Sequence, residues 1–193
     1  MALLVLARAW PAVAQNEVAR SRDQCTASGH FLAPGCRTFE LSGLYFVEAW
    51  DFNGRPEPDR LGGVAAAVSF TVRDGLGAVI EMLGMRVTQP PPSAAVGGLS
   101  GLLRKRLLEG RRTAVFVEGG LGASYATVIV PDRGTQFNYL LQGGGGVTHR
   151  LGPRTSLILN LRLFHLSNSS LNGPDHNPDI EAFGGHAGIL ISF

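Results

Sequence analysis

A histidine and a serine two positions apart, His165 and Ser167, are the residues whose types and spacing best fit a chemical role. In a β-strand, residues two apart project from the same face, and their α-carbons lie roughly 7 Å apart, within reach of an imidazole. A hydroxyl beside an imidazole base is the centre of an acyl-transfer site, which also needs an acid to orient the base. The alternative is that this His-x-Ser pair is incidental.

The orienting acid should come from a neighbouring strand. Glu181 lies near the start of the last strand-like segment, and a single loop joins that segment to the one that ends near Ser167. Two segments joined in this way are natural antiparallel neighbours, so Glu181 and Ser167 should meet at one rim. Glu181 also shares its parity with Phe183 and Phe193. We therefore expect Glu181 to orient His165.

The parity of the segment before Ser167 indicates which face the pair occupies. Apolar side chains share the face of His165 and Ser167, namely Leu157, Leu159, Leu161 and Leu163, and polar ones take the other, namely Ser156, Asn160, Arg162 and Asn168. A membrane barrel turns its apolar face toward lipid. Polar groups against hydrocarbon are costly unless they have a function. The pair is therefore expected on a lipid-facing wall.

The rest of the chain predicts the strands of such a barrel. Short charged connectors alternate with longer loops, as in outer-membrane barrels with short periplasmic turns. This pattern predicts an all-β fold, an eight-stranded antiparallel transmembrane β-barrel of the bacterial outer membrane. Within it, residues 99–108 would also fit a basic amphipathic helix. About eight alternating segments follow residue 37, at 38–52, 61–73, 76–88, 97–109, 113–128, 135–149, 155–167 and 180–193.

The composition excludes several other classes of protein. The chain has 193 residues, enough for one domain, with 17% charged residues and a mean hydropathy of +0.12, yet no apolar run approaches the length of a transmembrane helix. A formal net charge of +2, without a basic aromatic platform, gives no reason to expect nucleic acid as a partner. Of the 26 glycines, 18 fall within the alternating segments, which suits a curved sheet.

The start of the chain predicts export. Residues 1–14 resemble the end of a secretory signal peptide, shortened at its basic leader, and 15–37 would be an N-terminal periplasmic segment before a barrel at 38–193. In an oxidising compartment Cys25 and Cys36 could form a local disulfide, and two free thiols are the alternative. Zinc is not expected, because only His30 lies nearby as a further ligand. We expect no metal and no cofactor.

The segment His165-Leu166-Ser167-Asn168, followed by Asn177 and Glu181, resembles the signature of the lipid A 3-O-deacylases of the PagL type, also described as acyloxyacyl hydrolases. Further stretches are similar to the same family, namely 117–122, 135–139 and 143–145. The resemblance implies an outer-membrane barrel that removes the ester-linked acyl chain at position 3 of lipid A in lipopolysaccharide, with outer-membrane lipid around it. A homodimer is possible.

The resemblance also implies individual roles. Ser167 would be the nucleophile, His165 the general base and acid, and Glu181 the orienting acid. The side chain of Asn168 and the backbone N–H of Ser170 match the oxyanion-hole positions. The chain departs from the family where Ser169-Ser170 replaces a small Ala or Gly, and where Asn177-Pro178-Asp179 replaces Asn-x-Gly. The second departure makes Asp179 an alternative acid.

Chain direction predicts where the site lies. With Phe193 at the periplasmic side, Ser167 and Glu181 both come to the outer rim, facing the outer leaflet that lipopolysaccharide occupies. A non-catalytic small barrel, serving adhesion or membrane integrity, is the main alternative function. A phospholipase-like outer-membrane esterase and a soluble lipocalin-like carrier are further alternatives. Hydrolysis of lipid A by cells that express the chain would discriminate among them.

Overall fold

The alternating segments form eight antiparallel strands in a computed structural model that describes residues 31–50, 58–89, 92–171, 173 and 178–193. Each strand pairs with its neighbour in sequence, and β8 pairs with β1 to close the barrel. The strands are β1 (Arg37–Trp50), β2 (Arg60–Arg73), β3 (Leu76–Thr88), β4 (Ala94–Glu109), β5 (Thr113–Val130), β6 (Thr135–Arg150), β7 (Thr155–Ser167) and β8 (Ile180–Ser192).

The predicted barrel is confirmed, with strand bounds within three residues of those expected. Residues 99–108 lie inside β4 and are not helical. β1 begins at Arg37, one residue inside the segment assigned to the periplasm. The predicted signal peptide and most of that N-terminal segment lie outside the described residues. No helix in the described part of the chain is long and apolar enough to cross a membrane.

Strand parity separates an apolar outer wall from a partly polar interior. On β7 the outward residues Leu157, Leu159, Leu161 and Leu163 are exposed, whereas the alternating residues Ile158, Asn160, Arg162 and Phe164 are buried in the barrel. The exposed leucines form a surface suited to hydrocarbon, as expected for a membrane barrel.

Five buried charged residues cross the middle of the interior and form what we call the ionic layer, namely Glu40, Glu81, Arg104, Glu118 and Arg162. Arg104 contacts Glu118 at 2.6 Å and Glu40 at 3.1 Å. Arg162 contacts Glu81 at 2.9 Å and donates from Nε to Glu118 at 2.7 Å. These ion pairs and hydrogen bonds connect β1, β3, β4, β5 and β7, because each of those strands contributes one member of the layer.

The interior is less polar than the sequence pattern predicts, because apolar layers lie on both sides of the ionic layer. Toward the end that carries Ser167, an apolar cluster includes Phe46, Leu83, Leu140 and Phe164. Toward the other end, Phe116 packs with Ile158 and Leu190. An eight-stranded barrel is just wide enough for side chains to fill, so inward positions can be apolar where they meet each other and not water.

The residues just before β1 close the end of the barrel opposite Ser167. The ring of Phe31 stacks 5.6 Å from that of Phe116, and Leu32 is buried. Gly75 donates its backbone N–H to the carbonyl of Leu32, which joins this segment to the β2–β3 turn. Cys36 is disulfide-bonded. Its predicted partner Cys25 lies outside the described residues.

Replacing Arg162 with methionine should destabilise the barrel strongly. The change leaves the carboxylates of Glu81 and Glu118 buried without their shared cation. Breaking a buried ion pair on one side costs about 3–5 kcal/mol. Urea unfolding in detergent micelles, followed by heat-modifiable electrophoretic mobility, measures the loss.

The exposed Arg86 provides the matched control, since no carboxylate contacts it in the described part of the chain. Arg86→Met should change the free energy of unfolding by less than about 0.5 kcal/mol. Equal unfolding midpoints for both variants would show that the ionic layer does not stabilise the barrel.

Candidate active site

His165 and Glu181 are direct partners across the β7–β8 pair. Directly opposite residues of an antiparallel pair have their β-carbons about 4.5–5.5 Å apart, so a carboxylate on β8 reaches an imidazole on β7. His165 Nδ1 lies 2.5 Å from Glu181 Oε1. The two side chains are 28% and 30% exposed. The pair therefore lies at the surface of the wall, with one side of the imidazole occupied by the acid.

The other imidazole nitrogen faces the serine. His165 Nε2 lies 2.9 Å from Ser167 Oγ, as the two-residue spacing predicts. Ser167 is only 5% exposed, however, and is more enclosed than its outward parity suggests. Ser167 ends β7, next to the buried Asn168, and lies opposite Tyr139 of β6. The three residues Ser167, His165 and Glu181 thus form one continuous hydrogen-bonded chain.

Asn168 and Ser170 are also brought together, although in an arrangement that the sequence does not predict. The backbone N–H of Ser170 donates to Asn168 Oδ1 at 2.9 Å. Ser169 and Ser170 both have positive φ angles, of 53° and 58°. This left-handed conformation disfavours residues other than glycine. The turn fixes the orientation of the Asn168 amide.

Asp179 lies beside the same imidazole. The ligand atoms of His165, Asp179 and Glu181 all lie within 4.8 Å of one another. Two carboxylates therefore approach the histidine, but Glu181 makes the hydrogen bond to Nδ1. A set of one imidazole and two carboxylates has the donor types that bind divalent cations. The absence of a metal requirement stays a prediction, which a chelator can test.

Two aromatic residues that the sequence pattern does not assign to a site lie next to the nucleophile. Tyr139 is the β6 partner of Ser167, and its ring lies 5.2 Å from that of Phe137 in an edge-to-face arrangement. Both rings are exposed on the outer wall. The signal that could have found them is the β6–β7 register, which follows from the short turn between those strands.

Comparison with solved structures finds other small outer-membrane barrels. Neisserial surface protein A matches with a TM-score of 0.59 at 11% identity, over 82% of this chain and 97% of that one. The outer-membrane enzyme PagL matches with a TM-score of 0.53 at 16% identity, over 80% and 98%. OprG from Pseudomonas aeruginosa matches with a TM-score of 0.52 at 11% identity, over 85% and 99%. At these identities the likeness establishes the fold.

The sequence itself identifies the family. A comparison with curated protein sequences finds no significant match. The family model for lipid A 3-O-deacylase (PagL) matches residues 49–189, which include the whole hydrogen-bonded chain of Ser167, His165 and Glu181. The chain therefore belongs to the lipid A 3-O-deacylase (PagL) family of outer-membrane ester hydrolases.

Proposed function

We propose that this chain hydrolyses the 3-O-linked acyl ester of lipid A with Ser167 as nucleophile, His165 as general base and acid, and Glu181 as orienting acid. The observation that carries the proposal is the pair of contacts of His165, with Nε2 facing Ser167 Oγ and Nδ1 facing Glu181 Oε1. This is the arrangement that activates a serine in unrelated hydrolases.

The contacts support a two-step mechanism. Ser167 Oγ attacks the acyl carbonyl carbon while His165 Nε2 accepts the hydroxyl proton. The tetrahedral intermediate collapses with release of the sugar 3-oxygen, which takes that proton from His165 and leaves the acyl chain on Ser167. Water then attacks the acyl-serine ester while His165 accepts a proton from it. The bond between the acyl carbon and Ser167 Oγ breaks, the fatty acid leaves, and His165 returns the proton to Oγ. Glu181 holds the proton on Nδ1 and stabilises the imidazolium in both steps.

Asn168 would stabilise the tetrahedral oxyanion by donating from its side-chain amide. Because Asn168 Oδ1 accepts the Ser170 N–H, the orientation of the side-chain amide is fixed. The Ser170 N–H itself is occupied by this bond, so its predicted direct contact with the oxyanion would require Asn168 to move. The supported role of Ser170 is to orient Asn168.

The outer wall of β6 offers a place for the acyl chain. From Tyr139, opposite Ser167, the outward residues continue through Leu141 to Gly143. Gly143 lies beside Gly119 on β5, and a β-carbon on Gly143 would meet only one backbone oxygen, at 3.9 Å. The two glycines leave a depression roughly 13 Å along the strand from the level of Ser167.

The lengths of the connections support an outer-leaflet position for the site. Ser167 and Glu181 lie at the rim of the longer connections, including residues 168–179, whereas the opposite rim has turns such as 74–75 and 110–112. Outer-membrane barrels have their short turns in the periplasm. Lipid A then meets the triad from within the leaflet. The possible homodimer stays a prediction.

Ser167→Ala and His165→Ala should each abolish release of 3-hydroxy fatty acid from lipid A. Nucleophile and base act as a unit, so each loss should cost on the order of 10⁶ in kcat, and the double variant should be hardly worse than either single one. Mass spectrometry of lipid A incubated with purified protein measures the reaction. Additive losses in the double variant would contradict a shared nucleophile–base unit.

Heat-modifiable mobility checks that these variants still form barrels. Asn160→Ala, a change at a buried polar position outside the triad, controls for general damage to β7. A chelator should leave the wild-type rate unchanged. Activity that persists in Ser167→Ala, or that a chelator alone removes, would overturn the mechanism.

Glu181→Ala should lower kcat by about 10⁴, less than loss of the nucleophile, because an orienting acid neither forms nor breaks bonds. Asp179→Ala should lower kcat less than tenfold, since Glu181 and not Asp179 bonds to Nδ1. Paired kinetics of the two variants decide between the acids. A larger loss in Asp179→Ala would reassign the role.

Gly143→Leu should slow the removal of long acyl chains more than that of short ones, because leucine fills the depression on β6. The matched control is Gly84→Leu on β3, where an added β-carbon also meets open space but far from Ser167. Rates on lipid A carrying 14-carbon and 10-carbon 3-hydroxyacyl chains measure the effect. The same length dependence in both variants would exclude β6 as the acyl site.

A further inference from the structure

The rim opposite the triad is strongly basic. This rim consists of the start of β1, the three short turns and the strand ends next to those turns. It carries eight basic side chains, namely Arg37, Arg73, Lys105, Arg106, Arg111, Arg112, Arg150 and Arg154. Its acidic side chains are Asp74 and Glu109, and Arg106 contacts both, at 2.8 and 2.7 Å. Apart from Arg106 and Arg150, these basic side chains make no ion pair in the described part of the chain.

Three of these arginines form a compact group that we call the basic rim cluster, defined as Arg111, Arg112 and Arg154. Arg150 connects the β4–β5 turn to the end of β6, because its Nη2 donates to the carbonyl of Arg111 and its backbone N–H donates to the carbonyl of Arg112. All three side chains are exposed, and none makes an ion pair in the described part of the chain. They line a shallow pocket at the mouth of the barrel, together with Ser192 and Thr113.

An apolar surface adjoins the cluster on the outer wall. Leu107, Leu108 and Leu151 are each more than half exposed and lie beside the same turns. A surface with unpaired guanidinium groups next to exposed leucines is complementary to an anionic lipid, which has a charged headgroup next to apolar chains. The guanidinium fork matches phosphate oxygens in geometry and charge, and the leucines match acyl chains.

We propose that the basic rim cluster binds the phosphate of an anionic glycerophospholipid whose acyl chains lie on the adjoining leucines. The assignment of this lipid to the periplasmic leaflet rests on the orientation given under Proposed function. The binding itself depends only on the cluster. The site would anchor the barrel at a fixed depth, and so hold the triad at the level of the ester bonds in the other leaflet.

The test is native mass spectrometry of the full chain in a neutral detergent, with dioleoylphosphatidylglycerol or dioleoylphosphatidylcholine added at equal concentration. Wild-type protein should retain at least about five times more of the anionic lipid. Arg111→Gln/Arg112→Gln/Arg154→Gln should bind the two lipids equally. The corresponding lysine triple variant should keep most of the preference, because a point charge still attracts the phosphate.

The opposite rim supplies a control of equal charge. Arg60, Arg86 and Arg133 are exposed and make no ion pair in the described part of the chain, and the same rim also carries the acidic residues Asp132 and Glu181. Their triple change to glutamine should leave the lipid preference intact. Heat-modifiable mobility should be unchanged in both glutamine variants. Lipid A hydrolysis should also be unchanged when it is assayed in detergent, where no leaflet sets the depth of the barrel.

Three results would overturn the proposal. They are equal binding of both lipids by wild-type protein, equal loss of the lipid preference in the two glutamine variants, and binding of inorganic phosphate alone as tightly as the lipid, which would indicate a free-phosphate site. The outcome is independent of the proposed function. Ser167→Ala should retain phosphatidylglycerol whether or not the wild-type chain deacylates lipid A.

Discussion

The ionic layer inside the barrel is the constraint on which the rest of the structure depends. Arg162 of β7 can keep its contacts with Glu81 and Glu118 only while it points inward. A shift of β7 by one residue would move Arg162 to the lipid face, where an unpaired cation is costly, and would turn its outward residues inward. The parity that keeps Arg162 inside also turns His165, three residues later, outward. The ion pairs therefore determine where the triad faces.

Much of this arrangement follows from the sequence because strand parity is a local property. Alternation of apolar and polar residues predicts the strands, and the facing of His165 follows from Leu161 and Leu163 on the same strand. The predicted partner on β8 is also found, since a hairpin neighbour leaves few registers open. The contact between Glu181 and His165 is therefore the part of the site that the sequence predicts most directly.

Other features depend on contacts across the barrel or on an unusual backbone conformation, and parity does not predict them. The apolar layers inside the barrel require that Phe46 of β1 meet Phe164 of β7, whose rings lie 5.1 Å apart. The bond from Ser170 to Asn168 depends on two residues in the left-handed conformation, which their side chains do not favour. The packing of Phe31 against Phe116 joins residues 85 positions apart. The two aromatic contacts form only when the barrel closes.

The position of the triad along the strands satisfies two opposing requirements of ester hydrolysis, access for a lipid and access for water. In the proposed mechanism, an ester within a leaflet must reach Ser167, and the resulting acyl-serine must then be hydrolysed by water. His165 and Glu181 are a little more than a quarter exposed at the rim of the wall, where hydrocarbon gives way to headgroups. Deeper on β7, at the level of Leu161, water would be scarce. Farther out, beyond the strand ends, the pairing that aligns His165 with Glu181 would be lost. The last ladder positions of β7 and β8 satisfy both demands.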